Sequence, residues 1–186
     1  MMNQRKIYLH FRGDYSEDVI TFLKAFDDLK FKRLSDNQLE ITSSEDIDSE
    51  FLVSAREFSL VELYQDFTAF VAPRDYILET EDILAILPEL NPKIYAIETL
   101  IPELVFLNKQ DALKKIRNHY YGKFNSETID TILGFISSNL NATKTSKALY
   151  MHRNTLNYRL DNFISKTEID VRTFTGALAV YLLFRR

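Results

Sequence analysis

The chain has 186 residues, of which 46% are apolar and 27% are charged, and it contains no Cys and only four Gly. The lack of Cys excludes disulfides, thiolate metal sites and Cys nucleophiles, and four scattered Gly cannot form a Gly-rich phosphate-binding loop. The formal net charge is −4, but residues 122–186 carry nine Lys/Arg against five Asp/Glu while residues 1–121 carry 14 against 22. This pattern indicates a globular protein whose two parts have opposite charge.

The sequence offers little support for a membrane protein or an enzyme. The first residues contain too short an apolar run for a leader peptide, and no stretch of about 18 apolar residues could span a bilayer. The three His do not have the spacing of HExxH, and no GxSxG motif occurs. We therefore expect a soluble cytoplasmic protein that is not an enzyme, with no catalytic residue, metal site, cofactor or membrane partner.

The first half of the chain shows short runs typical of strands alternating with helical periodicity. In "SEDVITFLKAFDDLK", for example, Val19, Phe22, Leu23 and Phe26 share one helical face. We predict an α/β domain over residues 1–121. Its predicted elements are strands over 6–11, 37–42 and 91–98, helices over 16–30 and 80–90, and an ambiguous segment over 63–73.

From about residue 99 onward the sequence shows only helical periodicity. A helix stop at Gly122 and a cap at Ser126 mark the division, and we assign residues 122–186 to an all-α domain. Its first helix has one apolar stripe, formed by Ile129, Ile132, Leu133, Ile136 and Leu140.

A short helix and a longer helix follow. Asn141 or Thr143 can cap the short helix, in which Ala148 and Leu149 are predicted to point inward. The longer helix is predicted over about 153–166. Its buried stripe is Leu156, Leu160, Phe163 and Ile164, and its exposed face carries Asn154, Tyr158 and Asn162.

A short helix, a tight turn and a longer helix with a polar face are typical of a helix-turn-helix motif, whose second helix can lie in the DNA major groove. The segment "LNATKTSKALYMHRNTLNYRLDNF" carries four Lys/Arg against one Asp. Because DNA binding depends on the local field more than on net charge, the acidity of the whole chain does not oppose it.

The stretch "TSKALYMHRNTLNYRLDNF" closely resembles the C-terminal helix-turn-helix of the PucR/CdaR family of bacterial transcription regulators. The likeness covers roughly residues 126–184 and includes an "NLNAT" entry, a "TEIDVR" turn and the closing apolar helix "GALAVYLLF". It implies a sequence-specific transcription regulator that binds double-stranded DNA.

The same segment is similar to the Fis-type helix-turn-helix, and this likeness implies individual roles. Asn141, Thr143 and Lys144 would bind phosphates, Arg153 a base edge, and Thr155 the DNA backbone, while His152 could contact either. An Arg at the start of a recognition helix can donate two hydrogen bonds to guanine. The candidate DNA-binding residues are Asn141, Thr143, Lys144, Lys147, His152, Arg153, Asn154, Thr155, Asn157, Tyr158 and Arg159.

Each assignment has a structural alternative. Lys147 and Arg159 could be solvated or paired within the protein as readily as they could contact phosphates. Arg153, Asn154 and Thr155 could serve only as a helix cap. Tyr158 could pack on a sugar or thymine methyl, or against another part of the protein.

The first half is compatible with the degenerate GGDEF-like domain that several PucR/CdaR-type regulators place before the helix-turn-helix. No GGDEF string is present, and "LSDNQLEI" would occupy the corresponding hairpin. We expect this half to sense an unknown small-molecule effector or to form a homodimer. The alternative function is a protein-interaction adaptor that keeps the helix-turn-helix shape without binding DNA; an enzyme built on the first half is the third, weaker alternative.

Overall fold

The computed structural model describes residues 4–14, 17–24, 29–44, 49–75 and 78–185. It divides the chain into two compact units, Met1–Ala96 and Ile97–Arg186. The first unit is a mixed α/β layer structure and the second is entirely helical in its described part, which confirms the predicted fold class. Among the described residues no helix is long and apolar enough to cross a membrane.

The first unit is built on a five-stranded sheet of order β2-β3-β1-β4-β5. All neighbouring strands are antiparallel except β4 and β5. The order β1-α1-β2-β3-α2-β4 is the split βαβ arrangement of ferredoxin-like folds. The elements are β1 (Arg5–Phe11), α1 (Glu17–Lys24), β2 (Leu29–Ser35), β3 (Gln38–Ser43), α2 (Ser49–Leu63), β4 (Phe67–Val71), α3 (Thr80–Ile86) and β5 (Ile94–Tyr95).

The sheet is buried on both faces around β1, its central strand. Alternate residues Ile7, Leu9 and Phe11 point to one face and pack with Val19 of α1 and Leu52 of α2. Each of these side chains, when fully buried, contributes about 1.5–3 kcal/mol through loss of apolar surface. The first unit therefore has its own hydrophobic core.

The opposite face of the sheet is covered by the segment around α3 and is more polar. The Tyr8 and Thr80 hydroxyls lie 3.3 Å apart, and the Arg12 guanidinium donates to the Leu90 carbonyl at 3.1 Å. Burial, together with the nearby charge of Arg12, lowers the pKa of His10 on this face. His10 is therefore held toward its neutral form.

Several predicted elements of this unit need correction. The predicted helix over 16–30 ends at Lys24 in the described part, residues 25–28 lie outside that part, and β2 begins at Leu29. The predicted strand over 91–98 is reduced to Ile94–Tyr95, because α4 begins at Ile97. The ambiguous segment over 63–73 contains β4, and α2 was not predicted.

The second unit contains six helices in its described part. They are α4 (Ile97–Phe106), α5 (Gln110–Lys123), α6 (Ser126–Ser137), α7 (Ala142–Ala148), α8 (Arg153–Thr167) and α9 (Phe174–Phe184). α4 packs along α9, and Arg117 of α5 donates to the Leu183 carbonyl of α9 at 2.6 Å. These contacts place α4 and α5 with the helical unit, so the compact units divide at 96/97 and not at the expected 121/122.

We expect Gly176→Ala to destabilise the protein. A Cβ at this buried position in α9 would overlap the carbonyl oxygen of Asp170. Because the obstacle is backbone, the free energy of unfolding should fall by about 1–3 kcal/mol. Gly122→Ala is the control: Gly122 lies inside α5 with nothing within 4 Å of a Cβ, so alanine should raise stability by about 0.5–1 kcal/mol. Urea unfolding measures both changes, and equal stability of the two variants would contradict this packing.

Candidate nucleic-acid interface

The interface begins with α6, which supports the two helices that follow. Its cap is Asn125 and not the predicted Ser126: the Asn125 side-chain oxygen accepts from the Thr128 backbone N–H at 2.9 Å. Ile129 and Ile132 are buried as predicted, and Phe135 is buried with them. α5 continues through Gly122 to Lys123, so Gly122 is not a helix stop.

The short helix α7 is capped by Asn141, one of the two predicted alternatives. Its side-chain oxygen accepts from the Lys144 backbone N–H at 3.0 Å. Thr145 is the buried residue of this helix, and its hydroxyl donates to the Asn141 carbonyl at 2.8 Å. A seven-residue helix presents little surface to the core, so Thr145 alone is buried there.

Of the two residues predicted to point inward, Ala148 does not and Leu149 does. Ala148 is exposed, and Leu149 stands beyond the last residue of α7 with 37% of its surface exposed. The Leu149 side chain nevertheless packs on Gly134 of α6, where an added Cβ would come within 3.1 Å of the leucine methyl. The missing side chain of Gly134 therefore permits the close approach of Leu149 to α6.

The turn between α7 and α8 ends at His152, which caps α8. Its Nδ1 accepts from the Asn154 backbone N–H at 3.2 Å. A ring nitrogen that accepts a hydrogen bond carries no proton, so the proton of the neutral ring lies on Nε2. His152 therefore combines a cap with an outward hydrogen-bond donor on an exposed side chain.

The long helix α8 coincides closely with the predicted recognition helix over 153–166. Leu156, Leu160 and Phe163 are buried, while Ile164 is half-buried. The exposed face carries four predicted site residues, namely Arg153, Asn154, Thr155 and Tyr158. Asn157 and Asn162 are half-buried, so Asn162 is less exposed than predicted.

α8 is anchored by an aromatic cluster. The Phe163 ring centroid lies 5.0 Å from that of Phe124 and 6.4 Å from that of Tyr120. Phe184 of α9 lies 6.5 Å from Tyr120. Burial raises the pKa of Tyr120 far above its ordinary value, so this phenol is neutral and belongs to the core.

Arg159 is paired within the protein. Its guanidinium donates to the Glu127 carboxylate at 2.6 Å and to the Thr131 hydroxyl at 2.8 Å, both on α6. Only 20% of the arginine side chain is exposed. Of the alternatives left open for this residue, the structure shows intramolecular pairing, which holds α8 against α6.

The other three basic residues of the helix-turn-helix segment are exposed, unlike Arg159. Lys144, Lys147 and Arg153 are exposed, and within the described part of the chain none of them forms an ion pair. Thr143 is exposed beside Lys144. The structure thus brings three unpaired cations to α7 and the start of α8.

Arg172 is a residue that the sequence analysis missed. It donates to the Asp161 carboxylate at 2.7 Å and so offsets the negative charge on the outer face of α8. No local pattern could reveal this pair, because the residues stand eleven positions apart on different elements. Glu127 and Thr131, the partners of Arg159, were missed for the same reason.

We expect Arg159→Ala to lower the free energy of unfolding by about 1–2 kcal/mol, because it removes a charge-assisted contact between α6 and α8. Lys144→Ala is the matched control, since the exposed side chain of this lysine has no partner among the described residues, and should change stability by less than about 0.5 kcal/mol. Thermal unfolding compares them. If both variants unfold like the wild type, the pairing of Arg159 has no structural importance.

Comparison with known proteins identifies the domain. Residues 128–185 match the family model of the PucR C-terminal helix-turn-helix domain. "Uncharacterized protein YxkF" of Bacillus subtilis (strain 168) is 47% identical over 58 residues, which are 31% of this chain and 20% of that protein. The chain thus spans about a fifth of the length of this curated relative.

A solved structure extends the likeness to most of the chain. The crystal structure of a regulator of polyketide synthase expression from Bifidobacterium adolescentis matches with a TM-score of 0.50 and 18% identity, over 97% of this chain and 79% of that chain. At this identity the likeness concerns the fold alone. The family model and the helix geometry together confirm the resemblance: residues 128–185 form a PucR C-terminal helix-turn-helix domain.

Proposed function

We propose that the chain is a sequence-specific DNA-binding transcription regulator whose helix α8 enters the major groove. The observation that carries this proposal is the state of the cations: Lys144, Lys147 and Arg153 are exposed without an ion pair among the described residues. A PucR-type domain supplies the matching architecture. Unpaired cations on a helix-turn-helix are free to displace counterions from DNA phosphates.

The proposed roles follow from position and chemistry. Arg153 stands at the first residue of α8, where its guanidinium can reach guanine O6 and N7. The Nε2 proton of His152 can be donated to a phosphate or base acceptor. Lys144 and Lys147 would contact phosphates, together with Asn141 and Thr143.

The other candidate DNA-binding residues on α8 differ in how exposed their side chains are. Asn154, Thr155 and Tyr158 are exposed and can contact the groove, whereas Asn157 is half-buried and would contribute from the edge. We assign Arg159 a positioning role, because its guanidinium is already bonded to α6.

For the rest of the chain we propose a non-enzymatic role in the cytoplasm. The first unit would sense an unidentified small-molecule effector or contribute to a homodimer, and the degenerate GGDEF-like fold remains a proposal. The DNA-binding domain is proposed to occupy residues 122–186, with α4 and α5 packed behind it as part of the helical unit.

One observation favours the adaptor alternative. Tyr150 is 97% exposed and Tyr158 is 70% exposed, and exposed aromatic side chains are frequent at protein–protein interfaces. Salt dependence separates the two functions, since phosphate contacts make binding fall steeply with salt whereas an apolar protein contact does not.

We expect binding to a preferred duplex to weaken steeply between about 50 and 200 mM salt. Arg153→Ala should cost about 1–3 kcal/mol on the best site and little on non-specific DNA, because a lost base contact affects specific binding only. Fluorescence anisotropy with both duplexes measures this difference.

Leu160→Ala is the control for indirect loss of binding. It empties a buried position of α8 and should cost about 2–5 kcal/mol of stability, with loss of binding to every DNA. If Arg153→Ala is as unstable as Leu160→Ala, or loses equal affinity for the specific and the non-specific duplex, Arg153 does not read a base. Salt-independent binding by the wild type would contradict the DNA-binding proposal itself.

A further inference from the structure

An apolar groove runs between α6 and α9. One depression, of about 440 Å³, lies between Ile129 and Leu133 of α6 and Phe184 of α9. A second, of about 540 Å³, continues from it toward Phe174 at the start of α9. Both depressions include Ser137 and Tyr181, so they form one continuous surface, called here the α6–α9 groove.

The groove and the recognition helix contact different sides of α6. Thr131 bonds to Arg159 of α8, whereas Leu133 lines the groove. Residues two positions apart in an α-helix, such as Thr131 and Leu133, are separated by about 160° around its axis. A partner in the groove would therefore leave the exposed face of α8 open to DNA.

We propose that a second copy of this chain docks on the α6–α9 groove, with Phe174 of each copy entering the depression of about 440 Å³ beside Leu133 and Phe184 of the other. Phe174 is 79% exposed, although it is a large apolar side chain at the edge of an apolar groove. It stands at one end of α9 and Phe184 at the other, about 15 Å away along the helix. A projecting side chain at one end and a depression at the other give the self-complementary surface that a twofold dimer requires.

The charges around the groove also suit a second copy. Asp130 and Arg185 both line it, so the surface does not present a single sign that would repel its own copy. A second exposed apolar stripe among the described residues differs: Val61 of α2 and Tyr64, just after its end, are exposed beside the acidic residues Glu57 and Glu62. Two copies of the α2 stripe would oppose like charges, so the α6–α9 groove is the better dimer surface.

The test measures assembly without DNA, by sedimentation velocity of the full chain over a range of concentrations. The wild type should be dimeric, and Phe174→Asp should raise the dimer dissociation constant at least about tenfold, because it places a charge in an apolar depression beside Asp130 of the other copy. Folding should be preserved, since an acidic residue in the first turn of α9 suits the helix dipole.

Two further variants make the test specific. Phe106→Asp changes an 84% exposed phenylalanine of α4 outside the groove and should remain as dimeric as the wild type. Adding Asp130→Arg to Phe174→Asp should recover about tenfold of the lost affinity, because aspartate and arginine then face each other across the twofold axis. A monomeric wild type, a dimeric Phe174→Asp variant, a monomeric Phe106→Asp variant or absence of recovery in the double variant would each overturn the proposal.

One recognition helix reads only a few base pairs, so specific binding should need two half-sites and two copies of the domain. The groove proposal rests on the proposed function in this respect, but the two can fail separately. Phe174→Asp should keep the wild-type affinity for non-specific DNA and lose affinity for a two-half-site duplex. If the variants alter assembly as expected while the wild type binds no DNA, the dimer surface stands and the DNA-binding function is refuted.

Discussion

The helical unit depends on the burial of one side of α8. Leu156, Leu160 and Phe163 fix the rotation of this helix, and the Phe163 ring packs on Phe124 at the end of α5. With the apolar side held in this way, the opposite side must face solvent, which sets the direction of Asn154 and Tyr158. Arg153 lies three residues before Leu156, near the side of the buried stripe, and is exposed because it is the first residue of α8. The proposed contacts of Asn154 and Tyr158 follow from this apolar packing, whereas that of Arg153 follows from its place at the start of the helix.

Polar contacts add to the apolar packing: they hold α8 against α6 and adjust the charge on its outer face. Arg159 joins α8 to α6 through Glu127 and Thr131, and Arg172 neutralises Asp161 on the outer face. The arginines near α8 thus differ in function: Arg159 and Arg172 are bonded within the protein, whereas Arg153 is left without an ion pair among the described residues. An acidic chain can in this way keep a local surface suited to DNA.

Sequence reasoning succeeded where an apolar stripe repeats at helical spacing. The recognition helix was expected over about 153–166 and is found over Arg153–Thr167, because its buried positions are marked by large apolar residues. The same reasoning could not assign Arg159, since its partners stand 28 and 32 residues earlier and are brought close only by the packing of α6 on α8. Ala148 was misplaced because the seven-residue helix α7 buries only Thr145.

In the first unit, local patterns were less informative. β2 follows α1 closely, and its sequence LKFKRLS contains basic residues that a helix could equally accept. α2 carries apolar residues on its exposed side as well, including Val53 and Val61, so no single stripe identifies it. Both elements are defined by long-range contacts, β2 by pairing with β3 and α2 by packing on the sheet.

We propose that α8 reads DNA sequence from the N-terminal end of a helix held on an apolar core. Selection of bound sequences from random duplex DNA tests it most directly, because it requires neither a known operator nor a known effector. We predict enrichment of two related half-sites about one helical turn apart, or a multiple of it, each containing a guanine that is no longer enriched when Arg153→Ala is used. Failure to enrich any sequence at low salt, or enrichment of the same guanine by Arg153→Ala, would contradict this account.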